Sequence, residues 1–552
     1  MNQITIIIKI NITFLFVFIL SFNQLKAQNQ NLLKNPVLTG FYPDPSICRV
    51  GEDYYLVCSS NEYFPGLPIF HSKNLVTWEQ IGHVLDRPNQ IRLDSVNPSS
   101  GIFAPTIRYH QGIFYVLCTR AGGDPSERNF VVTSTNPKGP WSNPIWLKNA
   151  SGIDPSLFFN DDGKVWYTGN RVPENGEKYF KQREIWLQEF DLKTMQLIGP
   201  ITVLLDEGAV RQARNIEAPH IYKVNGIYYL IIAEGGTDFN HAVTIFKSNK
   251  VEGPYEAAPK NPIITSRHLG NNYSIQCIGH ADFIETQNGE WYTVLLGTRP
   301  YEGKSYPNLA RETFIAPLIW EDGWPVIAPN EGKILTEFPA PNLPEFKIEQ
   351  PTIRDDFNND LLAFQWNLIR TPSEKLYSLN QKKGNLRLFL KPEAITEKVN
   401  PAFIGRRQQH KNFEASASME FSPQNKETAG LLVYQNPQYH FKLEYVLKDG
   451  KKVIRLTKLK NNIIEILAEQ EVNVKKLYLK VSAIGQDYAF YFATKEGEWI
   501  LLMDKVNGNM LNRTVAGGFT GVYLAMYASS NGYKTSNHAD FDWFDYQELK
   551  PK

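Results

Sequence analysis

Four titratable side chains in the first 300 residues share one sequence context. Asp44 stands in "YPDPSI", Asp154 in "GIDPSL", Glu217 in "IEAPHI" and His280 in "IGHADF". Each opens a short apolar run or immediately precedes its first residue. Carboxyl groups and an imidazole are the side chains of general acid–base chemistry. One carboxyl gives a proton, an ionised one takes a proton from water, and a third raises its neighbour's pKa by repulsion. Taken alone, an acid beside proline is a turn residue. Joint action requires a fold that brings four points, far apart in the chain, to one place.

An internal repeat supplies that fold. Five copies of one pattern run from a short apolar segment through a Gly-containing turn to paired aromatics and a second apolar segment. They open at Asp44, Ala104, Asp154, Ala218 and Ala281, and their second aromatics are Tyr55, Tyr115, Tyr167, Tyr229 and Tyr292. That interval is 11 residues in four copies and 13 in the third, and successive copies start 60, 50, 64 and 63 residues apart. Each copy reads as a β-hairpin, and its spacing leaves room for a four-stranded sheet with loops. Five such units predict a five-bladed β-propeller, with the N-terminal "NPVLTG" lending a strand to the fifth blade. No helix-length amphipathic stretches separate the strands, which excludes a TIM barrel.

In a propeller the first strand of each blade lines the central channel. The residues just before the five openings are Pro43, Phe103, Ile153, Glu217 and His280. Asp44, Asp154, Glu217 and His280 therefore fall at equivalent points of four blades, at one mouth of one channel. Carboxylates in a partly enclosed pocket with aromatics, and no evident nucleophilic Ser or Cys, suit glycoside hydrolysis.

Composition agrees with a soluble carbohydrate-active chain. Of 552 residues, 13% are aromatic, and strand propensity or surface for stacking on sugar rings are the two readings of that share. The net charge is +1 without a long basic run, which argues against nucleic acid or an anionic membrane as partner. Residues 1–27 carry Lys9, the apolar "ITFLFVFIL" and a small residue at Ala27, the pattern of a signal peptide. Export to the periplasm or outside is expected, with no membrane association after cleavage. Cys48, Cys58, Cys118 and Cys277 lie in apolar runs without metal spacing; buried thiols or a disulfide are the two readings.

The segments "YPDPSI", "GIDPSLF", "EAPHIY", "GGTDFNHAVTIFKS", "GHADF" and "RETFIAPLIWEDGWPV" resemble glycoside hydrolase family 43, in particular its β-xylosidases and α-L-arabinofuranosidases. The resemblance runs through residues 35–330 and continues into the C-terminal half. It implies an inverting mechanism with Asp44 as general base, Glu217 as general acid and Asp154 as the residue that tunes and orients the acid. It also implies that Arg311 binds sugar hydroxyls. His280 would touch a central cation or water, with structural calcium the metal implied; no other cofactor is required. Phe103 stands where such xylosidases commonly place Trp, and Asn61 where they often place an aromatic. These departures turn the expected specificity from plain xylobiose toward an arabinofuranose or a decorated substrate.

Residues 331–352 are Pro-rich and read as a linker without strands. From 353 to 549 short alternating runs predict an antiparallel β-sandwich. It resembles the laminin-G or concanavalin-like sandwich of the same xylosidases, in which a loop can cap the pocket. Phe519 in "GGFTG" is the candidate cap, and a place in the sandwich core is its other reading. A capped pocket at residues 31–330 favours exo action on xylo- or arabino-oligosaccharides. Two alternatives stand beside this reading: a non-catalytic carbohydrate-binding propeller, and a retaining fructan-type hydrolase with five blades.

Overall fold

The computed structural model describes residues 32–94, 96–301, 307–349 and 352–550. The expected signal peptide, residues 1–27, lies outside the described residues. Each repeat forms the predicted hairpin. Its turn is closed by Gly51, Gly112, Gly163, Gly226 or Gly289, all with φ between +63° and +86°, where a side chain would be strained.

The hairpins open five antiparallel sheets in chain order. The first runs Ser46–Val50, Asp53–Val57, Gly66–Ser72 and Glu79–Leu85. The third runs Ile153–Phe159, Val165–Arg171, Glu184–Asp191 and Gln196–Leu205. The second, fourth and fifth begin at Thr106–His110, Glu217–Val224 and Gln276–Glu285. Each opening strand packs against the opening strand of the next sheet, and the fifth packs against the first. The sheets are covered on both faces, so their middle strands carry continuous apolar runs. In "EIWL", Trp186 faces a core with Leu117 and Tyr167, while Ile185 and Leu187 face one with Ile221 and Leu230. The two-residue period of a strand sends alternate side chains into different interfaces.

Two expectations about the chain ends of this unit need correction. The fifth sheet has its own fourth strand, Trp324–Ile327, so "NPVLTG" does not supply one. That strand pairs only with Leu318–Glu321, leaving the preceding residues of the neighbouring strand uncovered. Asn35 and Leu38 cover them, through hydrogen bonds of the Asn35 amide to Ile315 (2.8 and 2.9 Å) and a single bridge from Leu38 to Thr313. Second, the stretch 331–352 is not strandless. Glu337–Pro339 pairs with Leu32–Lys34.

The C-terminal half is a two-sheet sandwich. One sheet has six strands, among them Ala402–Arg407, Thr428–Asn436 and Tyr523–Ser529. The other has eight, with Asn412–Glu420, Lys476–Ile484 and His538–Glu548 at its centre. Leu431, Leu443, Leu477, Leu479 and Phe541 share the core between them. The α-helix among the described residues is the single turn Arg513–Ala516.

The two halves are joined by backbone and by buried charge. Leu368–Ile369 pairs with Tyr63–Phe64, a short strand of the first half. Beside it Arg370, 1% exposed, donates to the carbonyls of Val96 (3.2 and 2.7 Å) and Val399 (2.9 Å). Tyr63 stacks on Tyr523 at 3.9 Å. Arg370→Ala leaves these carbonyls without donors and opens a cavity, which predicts a loss of about 3 kcal/mol. Urea unfolding should show a lower midpoint in one transition reported equally by probes in both halves. Two separate transitions in wild type would contradict this account of the junction.

Candidate active site

The site is built where the sheet ladders break. Strand pairing skips between Ile153 and Ser156, between Glu217 and His220, and on both sides of Gly279 up to Asp282. Asp154, Ala218 and His280 lie in these skips with φ of +56°, +54° and +55°. Asp44, just ahead of its strand, has φ +55°. Bulges and left-handed residues re-aim side chains that a regular ladder would send into sheet interfaces. Each such non-glycine residue costs about 1–3 kcal/mol, a strain held by the surrounding sheets.

One pocket results. It is lined by Asp44, Asn61, Phe103, Ala104, Ile153, Asp154, Glu217, Thr237, His280, Arg311 and Phe519. All eight side chains singled out in the sequence meet there. Arg311 Nη1 donates to Asp44 Oδ1 at 2.6 Å, and Ser59 Oγ donates to Asp44 Oδ2 at 2.6 Å. His280 Nδ1 lies 3.8 Å from Asp44 Oδ1. Asp154 Oδ2 accepts from the backbone N–H of Ala218 at 3.2 Å and so holds the residue next to Glu217.

The carboxyls are driven apart electrically. Burial raises the pKa of Asp44, but Arg311, His280 and the Ser59 hydrogen bond outweigh it and hold Asp44 below the usual carboxylate range. Glu217 is pushed up to about 7, first by burial and then by the charge on Asp44. Asp154 is raised by burial and by repulsion from Glu217 and Asp44. The pocket therefore holds an ionised carboxylate and a protonatable pair at neutral pH.

Two buried polar atoms at the pocket have no partner among the described residues. Asn61 spends its Nδ2 on Ser99 O at 2.8 Å, while its Oδ1 is unpartnered. Arg311 has an unpartnered Nε. Such atoms cost about 1–3 kcal/mol each until something bonds them, and a hydroxylated ligand does so.

Phe519 is not sandwich core. It sits half-buried at the pocket, with its N–H donating to Ser99 Oγ at 2.8 Å. Its ring meets Phe103 edge-on at 6.4 Å, and the guanidinium groups of Arg311 and Arg513 lie 5.7 and 5.0 Å from its centre. Arg513 Nη1 also donates to Thr237 O at 2.8 Å, tying the loop of the second half to the rim of the first. Sequence reasoning missed Thr237 and Ser59. Ser59 is visible in "CSSNEYFPG", but nothing in that segment marks it as the partner of an acid fifteen residues earlier.

All four cysteines, Cys48, Cys58, Cys118 and Cys277, are buried as thiols. Among the described residues, no group of three or more His, Cys, Asp or Glu is placed to hold a metal ion.

Comparison with known proteins agrees with this geometry. Residues 33–325 match the family model described as glycosyl hydrolases family 43, and residues 354–547 match the beta xylosidase C-terminal concanavalin A-like domain. A xylosidase/arabinosidase of Butyrivibrio fibrisolvens is 43% identical over 94% of this chain and 100% of its own length. A non-reducing end alpha-L-arabinofuranosidase of Bacteroides ovatus is 39% identical over 94% of this chain and 96% of its own. The solved structure described as Bacteroides ovatus xyloglucan PUL GH43B superposes with a TM-score of 0.88 at 38% identity, covering 94% of this chain and 100% of the other. The chain belongs to glycosyl hydrolase family 43.

Proposed function

We propose that this chain is an exo-acting, inverting glycoside hydrolase that releases xylose or arabinose from hemicellulose-derived oligosaccharides. The observation that carries the reading is the split among three carboxyls, buried Asp44 and Asp154 and half-buried Glu217, of which, among the described residues, only Asp44 is paired with a guanidinium. The five sheets serve as five blades of a propeller over residues 31–330. A linker, 331–352, and a sandwich domain, 353–549, follow. The N-terminal residues 1–27 direct export.

Asp44 takes a proton from water as that water attacks the anomeric carbon. Glu217 gives its proton to the glycosidic oxygen, which leaves on the opposite side. Asp154 holds the Glu217 backbone and keeps the acid's pKa high. Arg311 keeps the base ionised with Nη1 and offers its free Nε to a sugar hydroxyl; Asn61 Oδ1 offers an acceptor. Phe103 and Phe519 provide apolar surface for the ring, and His280 closes the pocket floor beside Asp44. A pocket closed by a loop of the second domain admits a chain end, hence exo action.

Nitrophenyl-xyloside and nitrophenyl-arabinofuranoside, followed by NMR, test the reading. The first-formed sugar should carry the inverted anomeric configuration. Asp44→Asn and Glu217→Ala should fold as wild type and lose at least about 100-fold in turnover. Retention of configuration, or equal inertness of wild type and variants on these and natural glycans, would overturn it.

The pH profile of kcat/KM should be a bell. Activity falls as pH rises through about 7, where Glu217 loses its proton. It also falls on the acid side, below the usual carboxylate range, where Asp44 gains one. Glu217→Gln should abolish the alkaline limb.

Phe519→Ala should lower kcat/KM roughly 3- to 10-fold through lost ring contacts. Its melting temperature should stay within about 3 °C of wild type, since the side chain is not core.

A further inference from the structure

Deeper in the ring than the carboxyls, the opening strands meet at a second buried cluster centred on Arg108. Its Nη1 donates to Asp282 Oδ2 at 2.9 Å and its Nη2 to Asp282 Oδ1 at 3.2 Å, a forked pair. Nη2 also donates to His220 Nδ1 at 2.9 Å, and Nη1 lies 3.3 Å from Ser46 Oγ. Asp282 is fully buried and accepts further from Ser46 Oγ (2.6 Å), from the Ile47 N–H (3.1 Å) and from Tyr222 Oη.

These partners lie close in sequence to the residues of the pocket. Ser46 is two residues past Asp44, His220 three past Glu217, and Asp282 two past His280. One guanidinium thus joins the strands that carry the proposed base, the proposed acid and the imidazole. Burial favours neutral His220, whose pKa is lowered to about 3. Its Nδ1 is then a lone-pair acceptor for Arg108. Burial raises Asp282, but the charge and hydrogen bonds of Arg108, with the Ser46 hydroxyl, outweigh it and keep Asp282 ionised.

A central divalent cation does not fit this arrangement. Calcium requires six to eight oxygen ligands. Here Asp282, the buried carboxylate of the hub, has both oxygens committed to Arg108 and its neighbours. Nearer the pocket, His280 faces Asp44, whose oxygens are held by Arg311 and Ser59. A positive charge is already present at each level.

The geometry points to Arg108 as a built-in replacement for a central metal ion: its guanidinium fixes the strands bearing Asp44, Glu217 and His280, and the ring takes no divalent cation. Arg108 is a positioning residue, acting on the reaction through these strands. The inference rests on the hydrolase reading of the pocket, but its calorimetric test does not depend on turnover.

Full-length wild type, dialysed against EDTA, should keep its melting temperature and its kcat/KM. Calorimetric titration with calcium chloride should show no binding at millimolar concentration. Arg108→Ala should lose about 10- to 100-fold in kcat with KM little changed, as supporting residues around a central ion do. Millimolar guanidinium should restore part of that loss without raising the melting temperature, which general destabilisation would not allow. Arg108→Lys keeps the charge without the fork; it should fold as wild type, with kcat between the other two, and decides the point if the alanine variant fails to fold. Calcium binding to wild type, loss of stability or turnover on chelation, or wild-type kcat in Arg108→Lys would overturn the inference. Inactive wild type with no calcium binding would count against the hydrolase reading and leave the ion-replacement claim supported.

Discussion

The ion pair between Asp44 and Arg311 is the asymmetry on which the site depends. Three carboxyls share one pocket, Asp44 and Asp154 buried and Glu217 half-buried, where ionisation is costly unless a partner is close. Arg311 reaches one of them at 2.6 Å. That contact makes Asp44 the acid that stays ionised, and its charge in turn helps push Glu217 and Asp154 upward. Three similar groups acquire different tasks because one cation is placed off-centre.

The asymmetry needs strands from several sheets. Asp44, Asp154 and Glu217 belong to the first, third and fourth, and Arg311 adjoins the third strand of the fifth. The ring of opening strands brings them together, and the Arg108 cluster ties four of the five below the pocket. The second half completes the enclosure with Phe519, anchored through Ser99. Its own attachment passes through Arg370, so the pocket's shape is a property of the whole chain.

Much of this was legible in the sequence because it repeats. Glycine turns two or three residues before paired aromatics located all five hairpins, and the register placed Asp44, Asp154, Glu217 and His280 on one rim. The roles of Arg311 and Phe519 rested on family resemblance, since a lone Arg in a strand or Phe in a loop carries no periodic signal. Arg108, His220 and Asp282 were missed for a physical reason. A polar residue within an inner strand looks like ordinary alternation, and only the closed ring shows that three of them converge. The edge contacts of Asn35 and Leu38 were half legible: the segment does cover the fifth sheet, but by side-chain bonds and a single bridge rather than as a strand.

The left-handed backbone at Asp44, Asp154, Ala218 and His280 has a consequence for how the chain evolves. At such positions glycine relaxes the backbone. In a lineage selected for thermal endurance alone, these sites are where glycine would be enriched, with the carboxyls of Asp44 and Asp154 lost in the process. A relative of this fold that has turned from hydrolysis to sugar binding should therefore show its change of occupation at the rim bulges, while the hairpin turns and sheet cores stay as they are.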